Sequence, residues 1–225
     1  MTFLIPREHT LALDPTKVRD IRSDVLDGQG RLKILPAAYW AGTTMHERAL
    51  CAVRAGVYCL PTVELVARLK ELINGRSALE IGSGNGILAE ALGITATDNY
   101  QQDMAKYREH YIATGQTPIK YGVNVQKMNA YRAVRDHAAD VVIGCWVTHK
   151  WDPQWPGRGG NEIGINEEDV LQNCKEYILI GNSLVHKDKP IWLREHTIEY
   201  PSYMFSRSFH VDSREFIAVF KGSKV

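Results

Sequence analysis

Hydrophobic positions change their period about a third of the way along the chain. Up to about residue 75 they recur at three and four residues, the mark of amphipathic helices. An amphipathic run over 16–26 follows Asp14-Pro15 and stops at Asp27-Gly28, which predicts a first helix. A loop with Gly28, Gly30 and Pro36 comes next, then a second helix over 46–55 that ends near Gly56. Pro61-Thr62 opens a third helix, in which Thr62 is the cap and Glu64 suits the positive N-terminal end. Asn74-Gly75 closes it, with Val66, Leu69 and Ile73 on one side and Arg68, Lys70 and Glu71 on the other.

Beyond this point short apolar runs alternate with helical stretches. Strands are predicted at 77–81, 94–97, 121–126, 140–146 and 177–181. Helices are predicted at 87–92, 101–111 and 130–137. Strands alternating with helices give an α/β fold with a doubly wound, Rossmann-like, mostly parallel sheet. Two tail strands, 192–199 and 215–220, have no helix between them and are expected to pair as an antiparallel hairpin at the sheet edge. The expected division is an N-terminal helical cap over 1–75 and a Rossmann-like domain over 76–225.

Charge narrows the partners. The 27 Lys and Arg nearly balance the 26 Asp and Glu, for a formal net charge of +1. A non-specific nucleic-acid enzyme needs clustered cations, so this balance does not favour one. No apolar run approaches the roughly 20 residues of a membrane-spanning helix, and the N-terminus has no basic start of a signal peptide. The four cysteines (Cys51, Cys59, Cys145, Cys174) form no Cys-x-x-Cys pair, so neither a disulfide framework nor a metal site is expected. Reduced thiols suit a cytoplasmic protein.

The strongest chemical signal is the run Glu80-Ile81-Gly82-Ser83-Gly84-Asn85-Gly86. A strand that turns sharply into a helix and admits a ligand closely needs glycines there. A nicotinamide site prefers Gly-x-Gly-x-x-Gly. Here the third glycine falls at Gly86, and Ile87 holds the dinucleotide position. Glu80 next to a pyrophosphate is unfavourable, but it suits a ligand with an ammonium group. Asp98 ends the next predicted strand, where a carboxylate accepts hydrogen bonds from a ribose diol.

The run SALEIGSGNGILAEALGITATD resembles the nucleotide-binding half of class I S-adenosylmethionine-dependent methyltransferases. The resemblance extends from about Pro61 to the C-terminus. It implies S-adenosyl-L-methionine as cofactor, with Gly82, Ser83 and Gly84 along its methionine part and Glu80 near its amino group. It places Asp98 on the ribose hydroxyls and Asn99 or Tyr100 beside the adenine. Asn129, followed by Ala130, stands where the family often has an acid for the adenine amino group. Tyr58 and Thr62 resemble the segment that closes over the methionine end.

The predicted fourth strand of the domain ends in Gly144-Cys145-Trp146-Val147-Thr148-His149, which in this fold lines the space above the reacting methyl. It lacks the Asn/Asp-Pro-Pro-aromatic motif of amino-methyltransferases. It also lacks the proline that precedes a cytosine-5 nucleophile, so Cys145 reads as a small lining residue. Trp146, Trp151 and Trp155 lie close together before a Gly-rich stretch at 157–160 that reads as a mobile lid. His149 and His186 follow neighbouring strand ends and are candidate general bases beside Trp146. Methyl transfer from a sulfonium needs mainly alignment, so a base is optional. Glu167 and Glu168 read as partners of a helix dipole.

The expected function is methyl transfer to an acceptor that no motif identifies, with a small or flat molecule favoured. The alternatives are a non-catalytic cofactor-binding module acting through a partner, and an NAD-dependent oxidoreductase.

Overall fold

The computed structural model describes residues 14–224. The N-terminal part holds α1 (Arg22–Val25), α2 (Ala37–Ala41), α3 (Met45–Ala55), β1 (Cys59–Leu60) and α4 (Val63–Ile73). Then follow β2 (Ala78–Ile81), α5 (Ile87–Leu92), β3 (Thr95–Asp98), α6 (Ala105–Ala113), β4 (Val125–Lys127), α7 (Ala130–His137) and β5 (Val141–Cys145). The chain ends with α8 (Glu167–Gln172), β6 (Glu176–Asn182), β7 (His196–Glu199), β8 (Phe205–Ser206) and β9 (Glu215–Lys221).

A seven-stranded sheet has the order β4-β3-β2-β5-β6-β9-β7. The first five strands are mutually parallel, and β9 runs antiparallel between β6 and β7. The tail strands therefore pair as expected, with β9 reaching across to β6 as well. The order reverses between β2 and β5, and that is where such sheets open a ligand crevice.

Alternation along the strands explains why helices cover both faces. Val142 and Leu179 face one cluster with Ala133, Val134, Val170 and Leu171 of α7 and α8. Val141, Ile143, Ile178 and Ile180 face the other, with Leu65, Val66, Leu69 and Ile73 of α4. Thus α4, which precedes the expected boundary at 75, packs on the sheet. The cap proper is a separate cluster in which Ile21, Val25, Trp40, Cys51 and Leu60 pack with Ile87. The β1–β8 pair and a bridge from Leu35 to Thr62 tie it down.

Local signals explain the helix ends. Thr62 accepts the Leu65 N–H and caps α4, and Asn74 ends it with φ 49°. Thr44 and Glu47 form a reciprocal capping box on α3, and Gly56 closes it.

Three expectations change. The helix over 16–26 shrinks to α1, because Asp14 takes the Thr16 N–H and Asp20 takes the Arg22 N–H. Those side-chain bonds compete with a helical ladder. The strand at 121–126 contracts to β4, since Tyr121 is occupied in a stack against Tyr100. The strand at 192–199 begins only at His196, after a 3₁₀ turn over Pro190–Leu193.

Among the described residues no helix is long and apolar enough to cross a membrane. No cluster of His, Cys, Asp and Glu among them could hold a metal ion.

Candidate functional site

A cavity of about 990 Å³ opens at the C-terminal ends of β2, β3 and β5. That lies at the upper end of small-molecule sites. The glycine turn forms its floor. Gly82 adopts φ 61°, and a Cβ there would come within 2.8 Å of Val147 Cγ1. Gly86 adopts φ 71°, and a Cβ would meet Val125 Cγ2 at 2.5 Å. Both positions need glycine for conformation and for space.

Hydrogen bonds hold the turn in place. The Ser83 N–H donates to Thr97 O at 3.0 Å, and the Thr97 hydroxyl donates to Glu80 O at 3.1 Å. Asp98 Oδ2 accepts the Gly84 N–H at 2.9 Å, and Oδ1 accepts the Tyr100 N–H at 2.8 Å. Burial raises the Asp98 carboxyl above its usual range, against these bonds and one from the Tyr121 hydroxyl. Glu80 is buried, with Oε2 accepting the Ala89 N–H at 3.0 Å. Burial pushes its carboxyl up to about 8. Ser83 Oγ is buried and has no hydrogen-bond partner. A lone unsatisfied hydroxyl beside a glycine turn is what a polar ligand would complete.

The structure brings together on this cavity Tyr58, Glu80, Gly82, Ser83, Gly84, Asp98, Asn99, Asn129, Ala130, Cys145 and Trp146. Asn129 also caps α7, its Oδ1 accepting the Arg132 N–H.

Four expected residues stand elsewhere. The Thr62 side chain is buried, capping α4 and donating to Tyr203 O. Tyr100 stands behind Tyr121, ring centroids 4.0 Å apart, with its hydroxyl on Val125 O. His186 is buried behind Trp146, at 5.3 Å edge to face, and its Nδ1 accepts the Asn182 N–H. Burial, and then the nearby Lys189 cation, lower its pKa to about 3. His149 is enclosed by its own loop: a Cβ on Gly160 would approach its ring to 3.0 Å. It lines a separate small cavity of about 50 Å³. The strand ends did place both histidines near Trp146, but the path of the loops turns their rings away.

Trp146 is the strained residue of the site. Its φ is 57°, and the Trp146 N–H donates to Ile180 O at 2.8 Å. A bulky side chain in the left-handed region costs energy and marks a place where structure is held for a purpose. Its ring lies 6.2 Å from that of Tyr58 across the cavity wall. The Cys145 thiol is raised well above its ordinary pKa, first by a hydrogen bond with Cys59 and then by burial. Both effects disfavour the thiolate, the form that attacks. Trp151 and Trp155 do not line the cavity, and Trp155 is exposed.

Sequence reasoning missed a polar wall. The Gln102 side chain donates to the Tyr58 hydroxyl at 3.2 Å and accepts the Ile119 N–H at 2.8 Å. Tyr58 and Tyr111 hydroxyls lie 3.1 Å apart, and Tyr121 accepts the Gln102 N–H. Residues 161–166 complete the lining. No local pattern announces them, because tertiary contacts alone bring them to the site.

No family model and no curated protein sequence matches this chain. Among solved structures it is similar to the Pyrococcus abyssi tRNA (uracil-54, C5)-methyltransferase in complex with S-adenosyl-L-homocysteine. That match has TM-score 0.38 and 15% identity, over 70% of this chain and 37% of that one. It is also similar to an rRNA methylase from Streptococcus thermophilus, with TM-score 0.36 and 12% identity over 71% and 94% of the two chains. A third is the methyltransferase domain of bacterial CtHen1-CN, with TM-score 0.39 and 10% identity over 70% and 96%. The Rossmann-like assignment rests on the strand order and register of the sheet itself.

Proposed function

We propose that this chain is an S-adenosylmethionine-dependent methyltransferase whose acceptor is a small, flat molecule with its own reactive lone pair. The observation that carries the reading is the acid–glycine–acid arrangement, with Asp98 hydrogen-bonded to Gly84 across the turn and Glu80 buried beneath it. The residues present fit the cofactor. The unsatisfied Ser83 hydroxyl and the open turn at Gly82 and Gly84 suit its methionine part, Asp98 suits a ribose diol, and Asn129 and Ala130 suit the adenine edge. When bound, the cofactor supplies an electrophilic methyl group.

The acceptor class follows from the other wall. Tyr58, Cys145 and Trp146 line it. Lys127, Arg132 and Lys150 also line the cavity. Neither histidine reaches the cavity, and the thiolate is disfavoured. A ring nitrogen brings its own lone pair and needs no base, whereas a hydroxyl or an ammonium must first lose a proton. Trp146 and Tyr58 orient a flat acceptor and exclude water.

Titration calorimetry with S-adenosylhomocysteine tests the cofactor reading. Binding in the micromolar range is expected, and no binding at millimolar ligand refutes it. A thermal shift with NAD instead would favour the oxidoreductase. Tight binding without transfer of labelled methyl to any small-molecule fraction would favour the non-catalytic module.

A further inference from the structure

The segment between β5 and α8 is folded as a flap that crosses the cavity. Its own frame is tight: Ile165 N–H to Thr148 O at 2.9 Å, Lys150 N–H to Ile165 O at 2.8 Å, and Trp151 N–H to Asn161 O at 2.8 Å. The glycines allow this closeness. A Cβ on Gly164 would lie 2.2 Å from His149 O, which is backbone and cannot yield. The near edge, 161–165, lines the same cavity as Asp98.

The tether across the cavity is weaker. Asn99 Nδ2 donates to Ile163 O at 3.3 Å, and Asn161 Nδ2 donates to Gln101 Oε1 at 3.4 Å. Both sit at the long end of the hydrogen-bond range. They join the flap to the residues that directly follow Asp98. Ile165 packs on the core and anchors the flap at its base, so the part beyond it is joined to the cavity rim by the weak tether alone, which is the construction of a gate.

We infer that the outer part of this flap, residues 149–164, gates cofactor exchange, with Asn161 and Asn99 as the latch over the ribose side of the site. The identity of the ligand rests on the methyltransferase reading; the latch does not. Asn161 acts here as a positioning residue. Its Oδ1 also accepts the Ile163 N–H at 3.0 Å, so the test must spare that turn.

Asn161→Ser keeps a hydroxyl for the turn but falls short of Gln101. Gly164→Ala pushes the flap off His149. Gln154→Ala, at the exposed tip, is the control. Stopped-flow displacement of S-adenosylhomocysteine reads dissociation. One lost hydrogen bond predicts roughly 2- to 12-fold faster release for Asn161→Ser, with a fall in melting temperature of no more than a few degrees and with unchanged release for the control. Hydrogen exchange of residues 161–165 should slow when S-adenosylhomocysteine binds and should quicken in both flap variants without ligand. Wild-type binding with equal release rates in all four proteins overturns the gate. If the wild type binds no S-adenosylhomocysteine, the cofactor reading falls. The latch is then decided by exchange in the free proteins, and unchanged exchange in both variants overturns it too.

Discussion

Lys189 and Glu167 form an ion pair that is almost wholly buried, with 2.9 Å between Nζ and Oε1 and side-chain exposures of 1% and 4%. Nζ also donates to Val147 O at 3.1 Å, and the Tyr177 hydroxyl donates to Glu167 Oε1 at 3.0 Å. The pair therefore holds the turn after β5 from behind. Val147 in turn touches the space that Gly82 leaves open, so the ion pair backs the glycine floor and the Trp146 wall together. Glu167 stands in the first turn of α8, as the sequence predicts for a helix-dipole partner, and is also the counter-ion of a buried lysine.

Removing one partner of such a pair strands the other charge. Lys189→Met should cost about 3–5 kcal/mol in urea unfolding. Adding Glu167→Gln should recover part of that loss, because the unpaired carboxylate disappears. A double-mutant cycle showing simple additivity would exclude coupling between the two.

Asp98 links the glycine turn to the position proposed for the ribose. Asp98→Ala removes the acceptor of the Gly84 and Tyr100 N–H groups and, with it, the proposed contact to the ribose. One lost charge-assisted hydrogen bond to ligand is worth ~1.5–3 kcal/mol, or roughly 10- to 150-fold in the S-adenosylhomocysteine Kd. Titration calorimetry reads it directly. An unchanged Kd would remove Asp98 from the site.

Glu80 gives a pH signature. With its carboxyl raised to about 8 by burial, it is mostly protonated at pH 7 in the free protein. An ammonium-bearing ligand favours the ionised form, so binding should release up to one proton. The observed binding heat at pH 7 should then differ between phosphate and Tris buffers, and the difference should vanish in Glu80→Gln. For stability the sign is opposite to that of a salt-bridged acid. The contribution is fully present below the unfolded value of 4.5 and is lost as pH rises through about 8.

The features that can be read from the chain are those whose cause is local. The turn at Gly82–Gly86 needs glycines within a few residues of the strand, so its composition declares it. The ends of α4 lie in Thr62 and Asn74, and α7 begins at its own cap, Asn129. Where local causes compete, the pattern misleads: residues 16–26 have helical periodicity, but Asp14 and Asp20 capture the backbone first.

The sequence by itself determined the alternation of strands and helices from β2 to β6, the acid–glycine–acid motif, and the absence of a charge excess, because each depends on neighbours along the chain. The tertiary structure alone decided which side chains face the cavity. A residue just after a strand can turn inward, as Trp146 does, or be enclosed by its loop, as His149 is. That choice depends on loop path and on packing partners distant in sequence, such as Lys189 behind Val147 or Ile163 above Asn99.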